Sequence, residues 1–265
     1  MRRPAHLTPE NASAFGSQSV VDAYPFRLPY PDEVFTVLDT LILGQPRTVL
    51  DLGSGTGDLA RRMAPRVHRV DAVDLSSAMI ARGRTLAGGD APNLTWIQGR
   101  AEDAALAPPY ALVTAAESLH WMDWEVLRPR LARLLTAGGS LAIVSRDEHA
   151  PPWQSSLMDL IRTFFTFRTY EEYDLVELLE GRGLFQLRGR VSVDVQRTEQ
   201  SVDDYIRSFH SRASLTPEGL GSDGVRAFDS RLREIVSPWE RAGMVTLESA
   251  PSVIWGRPLE GRRNR

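Results

Sequence analysis

Between residues 46 and 146, short apolar runs alternate with helical patterns, and this alternation constrains the fold more than any other feature of the chain. Thr48 to Leu52 predicts a buried strand, and the apolar positions that follow it have the spacing of a helix. The same succession continues and predicts five strands, at residues 48–52, 69–74, 94–97, 111–116 and 140–144. Strands that alternate with helices form βαβ units and a parallel sheet covered on both faces. We therefore expect a doubly wound α/β fold.

Two of the connecting helices have recognisable boundaries. Ser76 is expected to cap a helix over residues 77–87, because a serine side chain can accept a hydrogen bond from the free N–H groups of a helix start. A second helix is predicted over residues 123–135 and is expected to end at Gly138 and Gly139. Open parallel sheets bind ligands beyond the carboxyl ends of their strands. The residues that directly follow each strand are therefore the candidates for a site.

The loop after the first strand is rich in glycine. The stretch from Asp51 to Gly57 reads DLGSGTG, and its three glycines leave a backbone that a ligand can approach closely. A dinucleotide-binding fingerprint would need its third glycine where this chain has Asp58. A carboxylate there would repel a pyrophosphate, and Asp51 adds negative charge. The loop therefore fits a cationic ligand better than a phosphate, although a plain tight turn would have the same signature.

Polar residues also follow the next three strands. Asp74 could accept hydrogen bonds from both hydroxyls of a ribose, or it could cap the next helix, a role for which Ser76 is better placed. Residues 99–103 could meet the edge of an adenine or form a surface turn. Residues 117–124 contain two tryptophans and His120, which is a candidate for chemistry as well as for a structural role.

The composition excludes several kinds of chemistry. The chain has no cysteine, and its 31 basic residues are all arginine. Disulfides, thiolate nucleophiles, cysteine-based zinc sites and lysine Schiff bases are therefore excluded, and no metal is expected. A net charge of −3 gives no overall basic field, so we expect no nucleic-acid partner. No signal peptide and no apolar stretch of about 18 residues is visible, so we expect a cytoplasmic protein without a membrane partner.

Five segments together resemble the motifs of one family. Residues 49–57 resemble the first motif of class I S-adenosylmethionine-dependent methyltransferases, residues 73–76 are similar to the second motif, and residues 99–102 are similar to the adenine-side motif. Residues 117–121 resemble the segment after strand four in the small-molecule branch, which contains trans-aconitate and ubiquinone/menaquinone methyltransferase-like proteins. Residues 24–31 are similar to the Tyr-…-Arg-Pro-x-Tyr-Pro segment that precedes the core in that branch.

The resemblance implies a Rossmann-like methyltransferase fold, with a seven-stranded, mostly parallel sheet and helical cap insertions. It also implies S-adenosylmethionine as cofactor and S-adenosylhomocysteine as product. Asp51 and the loop glycines would line the methionine part, Asp74 would bind the ribose, and Tyr24 and Arg27 would close over the cofactor carboxylate. The residues assigned to cofactor binding are Tyr24, Arg27, Asp51, Gly53, Ser54, Gly55, Gly57, Asp74, Leu75, Met79, Ala101, Glu102 and Glu117.

The adenine would lie against apolar side chains in this assignment. Leu75 and Met79 would cover its face, and Ala101 and Glu102 would meet its edge. The chain departs from the family at Arg100, where many members have an aspartate for the adenine amine. Glu102 is therefore the expected partner of that amine.

The resemblance implies methyl transfer to an oxygen, nitrogen or carbon of a small organic acceptor. In-line transfer from a sulfonium needs no metal and no covalent intermediate, and a base is needed only if the acceptor must lose a proton. His120 is the expected base, and His149 and His210 are lesser candidates. The alternatives are a non-methylating step such as cyclisation, a protein that holds the cofactor structurally, a nucleotide-dependent oxidoreductase, which Asp58 disfavours, and a nucleic-acid methyltransferase.

The chain is expected to have three parts. Residues 1–45 would form an N-terminal cap segment, residues 46–146 the cofactor-binding core, and residues 147–265 a helical substrate cap together with the last two strands of the sheet. These strands are predicted at residues 190–195 and 245–248, and the seventh is antiparallel by the family resemblance.

The predicted cap helices, over 150–183 and 201–237, favour an aromatic or acidic acceptor. Arg162, Arg168 and Arg212 could pair with an acidic one. The aromatic side chains of these segments are Trp153, Phe164, Phe165, Phe167, Tyr170, Tyr173, Tyr205 and Phe209.

Overall fold

The computed structural model describes residues 6–166 and 174–259. Four of the predicted cap residues, Phe167, Arg168, Tyr170 and Tyr173, lie outside this range. The strands of the described residues are β1 Thr48–Leu52, β2 Arg69–Asp74, β3 Leu94–Gln98, β4 Tyr110–Ala116, β5 Leu135–Ser145, β6 Phe185–Ser192, β7 Gln196–Ser201, β8 Met244–Ser249 and β9 Ser252–Pro258.

Ten α-helices lie in the same described ranges. They are α1 Pro9–Ser13, α2 Gln18–Ala23, α3 Asp32–Thr40, α4 Ala60–Met63, α5 Ser77–Thr85, α6 Trp124–Leu134, α7 Gln154–Phe164, α8 Leu175–Gly181, α9 Val202–Phe209 and α10 Pro217–Val236. Short 3₁₀ helices include Ala14–Gly16, Tyr24–Phe26 and Leu119–Trp121. No helix in these ranges combines the length and the apolar character needed to cross a membrane.

Seven strands form one sheet in the order β3-β2-β1-β4-β5-β9-β6. The pairs among β1 to β5 are parallel, and β9 runs antiparallel to both β5 and β6. Every residue of β1 is buried, as are nearly all residues of β4, because helices cover both faces at the centre of the sheet. The prediction of a seven-stranded, mostly parallel α/β sheet is confirmed.

The last two strands of the sheet differ from the prediction. The sixth strand covers residues 185–192 rather than 190–195. Residues 245–248 lie in β8, which pairs with β7 in a separate antiparallel sheet, so their assignment to the seventh position was wrong. That position belongs to β9. Its Gly256 leaves room for a neighbouring ring, because a Cβ there would lie 2.5 Å from Cζ of Phe185. Glycine inside a strand weakens the strand pattern, and the sequence did not reveal β9.

The helix boundaries were predicted in part. Ser76 caps α5 as expected, since its Oγ accepts a hydrogen bond of 3.1 Å from the backbone N of Met79. The prediction that Gly138 and Gly139 end the next helix was wrong, because α6 ends at Leu134 and both glycines lie inside β5. A Cβ on Gly139 would lie 3.1 Å from the carbonyl oxygen of Tyr110. Close contact between two backbones explains this glycine.

Apolar clusters on both faces hold the sheet between helices. One cluster packs α3 and α4 against one face, and a second packs α6 and α8 against the other. Successive residues of β1 alternate between them, with Val49 in the first and Leu50 in the second. A third cluster joins α7, α9, α10 and β8. Complete burial of a side chain such as Leu50 contributes about 1.5–3 kcal/mol.

The N-terminal segment connects the core with the third cluster. Val20 and Val21 of α2 pack on Met79 of α5. Farther along, Nε2 of Gln200 donates a 2.7 Å hydrogen bond to the carbonyl oxygen of Phe26. Tyr24 and Arg27 of this segment lie at the carboxyl ends of the strands, where the sequence places the candidate site.

Candidate functional site

A cavity of about 340 Å³ opens at the carboxyl ends of β1, β2, β3 and β4 and is called here the first cavity. Ten of the thirteen residues assigned to cofactor binding line it. These ten are Tyr24, Arg27, Gly53, Gly55, Asp74, Leu75, Met79, Ala101, Glu102 and Glu117. The side chains at four strand ends and the N-terminal segment thus meet at one place.

The glycine loop after β1 forms the floor of this cavity. Gly53 and Gly55 have φ angles of +62° and +55°, a region that other residues rarely adopt. A Cβ on Gly53 would lie 2.5 Å from Cβ of Ser118, so the loop and the residues after β4 approach as closely as their backbones allow. The loop therefore presents main-chain atoms, rather than side chains, to the cavity.

Asp74 at the end of β2 binds the loop to the start of α5. Its Oδ2 accepts a 2.7 Å hydrogen bond from the backbone N of Gly55, and its Oδ1 accepts a 2.8 Å bond from the backbone N of Ser76. Burial raises the pKa of Asp74, although these N–H groups act in the opposite direction. Each oxygen of a carboxylate can accept more than one hydrogen bond, so Asp74 can still accept bonds from a ligand.

Apolar side chains line the cavity next to Asp74 and are called here the apolar slot. Leu75 is 56% exposed and lines the cavity together with the buried Met79 and Ala101. A planar ring against these side chains would cover apolar surface that is now exposed to solvent.

Glu102 has a structural partner at the edge of the same slot. Its Oε1 accepts a 2.6 Å hydrogen bond from the backbone N of Asp123, at the start of α6. Its Oε2 lies 3.6 Å from Nε of Arg100, and both residues line the cavity. The guanidinium of Arg100 therefore lies beside the carboxylate of Glu102 in the lining of this cavity.

Three of the assigned residues, Asp51, Ser54 and Gly57, do not line the first cavity. Asp51 is buried and accepts a 2.7 Å hydrogen bond from Oγ1 of Thr114. Gly57 packs against the indole of Trp96, because a Cβ there would lie 2.4 Å from Cη2 of that ring. In this structure these positions hold the loop against the sheet.

The negative charge inferred for the loop is also placed differently. Asp58 lies 3.2 Å from Nη2 of Arg61 and 3.4 Å from Nη2 of Arg146, so two arginines compensate its charge. The acids that do line the first cavity are Asp74, Glu102 and Glu117.

Burial raises the pKa of Asp51 to about 7, against the effect of the Thr114 hydrogen bond. The folded protein therefore retains a proton between about pH 4 and pH 7 that the unfolded chain has released, and stability falls as pH rises through this window by up to about 1.4 kcal/mol per pH unit. We expect Asp51→Asn to remove this dependence. Urea unfolding at pH 5 and pH 8 measures it, with the exposed Asp90→Asn as control. Equal pH dependence in wild type and Asp51→Asn would contradict the assignment.

His120 lines a neighbouring cavity of about 430 Å³, called here the second cavity, and not the first. The two cavities share a boundary formed by Phe15, Arg27, Glu117, Ser118 and Trp121. His120 follows β4 in a 3₁₀ turn, and its ring centroid lies 5.1 Å from that of Trp121.

The two lesser histidine candidates lie elsewhere. His149 lies beside Glu248, with 3.8 Å between Nδ1 and Oε2. Both ring nitrogens of buried His210 are bonded, Nδ1 to the carbonyl oxygen of Leu215 at 3.0 Å and Nε2 to Oδ1 of Asp229 at 2.8 Å. His210 therefore has a structural role in the segment between α9 and α10.

A third cavity, of about 420 Å³, adjoins the second. Arg27 and Glu117 line all three cavities. Glu117 has a φ of +52°, a strained value for a residue with a side chain, and its Oε1 accepts a 2.7 Å hydrogen bond from the backbone N of Arg146. Strained residues of this kind concentrate at functional sites.

Several residues that line the first cavity were not assigned to it from the sequence. Residues 12, 13, 15 and 16 of the N-terminal segment line the first cavity, and Phe15 makes an edge contact with Trp121 at 5.6 Å between centroids. Ser118 and Met122 also line it. Ser118 and Trp121 follow a predicted strand, so their position at a strand end was a usable signal, whereas Phe15 belongs to no motif.

Part of the chain is similar to known methyltransferases. Residues 49–139 match a family model described as a methyltransferase domain. An uncharacterized methyltransferase of Mycobacterium tuberculosis is 36% identical over 152 residues, which cover 56% of this chain and 58% of that protein. The match thus spans little more than half the length of this relative.

Solved structures share the whole fold. A putative type II methyltransferase from Anaeromyxobacter dehalogenans has a TM-score of 0.61 at 22% identity and covers 89% of this chain and 99% of its own. A second neighbour is a methyltransferase from Geobacter sulfurreducens that is described as S-adenosylmethionine-dependent and was solved with S-adenosylhomocysteine. It has a TM-score of 0.53 at 19% identity and covers 95% of this chain and 99% of its own. Residues 49–139 are therefore similar to a methyltransferase domain, and the chain has the same Rossmann-like fold as these structural neighbours.

Proposed function

We propose that the chain is an S-adenosylmethionine-dependent methyltransferase that binds its cofactor in the first cavity and a small organic acceptor in the second. The observation that carries the proposal is the convergence of ten assigned residues on one cavity at the strand ends. The methyltransferase match over residues 49–139 and a structural neighbour solved with S-adenosylhomocysteine support it.

The residues present fit this cofactor. The bare backbone at Gly53 and Gly55 suits close approach by the methionine part, and Asp74 offers carboxylate oxygens to the ribose hydroxyls. The slot between Leu75 and Ala101 has the apolar character that an adenine face requires. Asp58 stands where a dinucleotide-binding fingerprint would have its third glycine, which disfavours that alternative.

Bound S-adenosylmethionine would supply a methyl group already activated by a sulfonium. The protein then has to position the acceptor and exclude water. Glu117 faces both cavities and contributes negative charge where a cation would lie. Arg27 stacks on the ring of Tyr24 at 4.4 Å, and this pair is proposed to hold the cofactor carboxylate.

His120 is proposed to accept a proton from the acceptor. His120 lines the second cavity. The other two candidates have partners elsewhere, because His149 lies beside Glu248 and His210 is hydrogen-bonded to Asp229. An imidazole can act as a general base in proton transfer.

The acceptor is proposed to be a small molecule, as in the branch that the segment 117–121 resembles. The second cavity has the volume typical of small-ligand sites. Residues 147–265 are proposed to cover this side, and α7, α9, α10 and β8 share an apolar cluster of their own.

Titration calorimetry tests the cofactor directly. We expect saturable one-site binding of S-adenosylmethionine and S-adenosylhomocysteine and no binding of NAD. Release of S-adenosylhomocysteine during a screen of small acceptors and RNA then separates methyl transfer from a non-methylating step, and His120→Ala should reduce turnover while leaving cofactor affinity intact. Binding of NAD, or product formed only with RNA, would contradict the proposal.

A further inference from the structure

The lining of the second cavity combines apolar side chains with two guanidinium groups. Arg27 and Arg212 both line it, and among the described residues Glu117 is the one acid that does. Its apolar lining residues include Leu7, Phe15, Leu119, Trp121, Ile143 and Leu175. A ligand that fills this space would contact apolar surface and at least one guanidinium.

Arg212 has only a weak acidic partner. Its Nη2 lies 3.4 Å from Oε2 of Glu148, and the two side chains are 41% and 45% exposed. Ion pairs with this exposure contribute little to stability. The guanidinium also lies over the ring of Phe209, at 4.5 Å from its centroid. The ring holds the cation in place, and the weak pair leaves it able to bind another anion.

The backbone that carries Arg212 is held firmly. His210 is bonded through both ring nitrogens, and Arg27 donates to the next residue, with 2.8 Å from Nε to Oγ of Ser211 and 2.6 Å from Nη2 to its carbonyl oxygen. A preorganised cation loses little conformational entropy on binding an anion.

Arg27 lies at the boundary of the first and second cavities. Ser211 is its hydrogen-bond partner, and no carboxylate of the described residues lies within 4.0 Å of its guanidinium. Because Arg27 is proposed to hold the cofactor carboxylate, Arg212 is the guanidinium of the second cavity that remains for a second anion.

We propose that the second cavity binds a molecule with an apolar or aromatic body and one carboxylate, which Arg212 binds through charge-assisted hydrogen bonds. That this molecule is the methyl acceptor rests on the proposed function. Arg212 is a specificity residue in this assignment, because it lines the second and third cavities but not the first.

The test uses probes of matched shape on the full chain. Calorimetry, with and without saturating S-adenosylhomocysteine, compares phenylacetate, 3-phenylpropanoate and indole-3-acetate with their primary amides. The variants are Arg212→Met, which keeps an unbranched apolar side chain, and Arg212→Lys, which keeps the charge. The matched control is Arg231→Met, an exposed arginine of α10 paired with Glu234.

We expect at least one carboxylate to bind about tenfold tighter than its amide in wild type and in Arg231→Met. Arg212→Met should abolish this preference and Arg212→Lys should retain part of it, while affinity for S-adenosylhomocysteine is unchanged in both. No preference for any carboxylate, or a preference that survives in Arg212→Met, would overturn the inference. An Arg212-dependent preference in a protein that does not bind S-adenosylhomocysteine would support the ligand class and refute the proposed function.

Discussion

Replacing Asp74 with alanine is expected to weaken binding of S-adenosylhomocysteine by about tenfold to a hundredfold, since hydrogen bonds to a charged group contribute about 1.5–3 kcal/mol. Asp74 lines the first cavity and is joined to the backbone N of Gly55 and of Ser76. Its loss removes the ribose acceptor and the anchor of the loop together. Calorimetry measures the affinity for S-adenosylhomocysteine, and thermal unfolding measures the stability lost with the anchor of the loop.

Two further variants separate these contributions. Asp74→Asn keeps an oxygen that can accept from one backbone N–H, and we expect a smaller loss of stability with most of the affinity still lost. Asp90→Ala removes an exposed carboxylate after α5 and should change neither quantity. An affinity of Asp74→Ala equal to that of wild type would remove Asp74 from the cofactor site.

Gly57→Ala is expected to destabilise the fold by about 2–5 kcal/mol, which combines left-handed strain with overpacking. Gly57 has a φ of +79°, and its added Cβ would lie 2.4 Å from Cη2 of Trp96 and 3.2 Å from Cγ of Arg61. The indole cannot move freely, because its Nε1 donates a 2.9 Å hydrogen bond to the carbonyl oxygen of Gly89. Urea unfolding measures the loss.

The control for this substitution is Gly181→Ala. Gly181 ends α8, and a Cβ there would meet no atom within 4 Å. Its stability should stay within about 1 kcal/mol of wild type. If Gly57→Ala were as stable as Gly181→Ala, the close packing of the loop on Trp96 would not be a constraint on this position.

Sequence patterns predicted the part of the site that lies directly after the strands. The loop from Gly53 to Gly55 and the acid at Asp74 each follow a buried strand, and parallel strands bring their ends to one edge. Spacing alone could not distinguish Gly55, which lines the cavity, from Gly57, which packs on an indole. Both are glycines with a positive φ, and the contact of Gly57 with Trp96 of β3 is what distinguishes their roles.

Contacts between distant segments were outside the reach of such patterns. Phe15 belongs to no motif, and only the path of the N-terminal segment across the strand ends brings it to Trp121. β9 was missed because Gly256 interrupts its apolar pattern, although that glycine is what lets Phe185 pack there. The sequence predicted an uncompensated negative charge at Asp58, because it could not show that the fold brings Arg61 and Arg146 next to this residue.

The position of β9 has a kinetic consequence. β9 pairs with β5, although residues 146–251 separate the two strands in sequence. Forming this pair closes a long loop, and the conformational entropy of that loop is lost before burial of apolar surface compensates it. β1 to β5 pair over much shorter separations and can assemble first. Until β9 arrives, one side of β5 presents a row of unpaired N–H and C=O groups. Refolding at high concentration should therefore lose material through association at this edge.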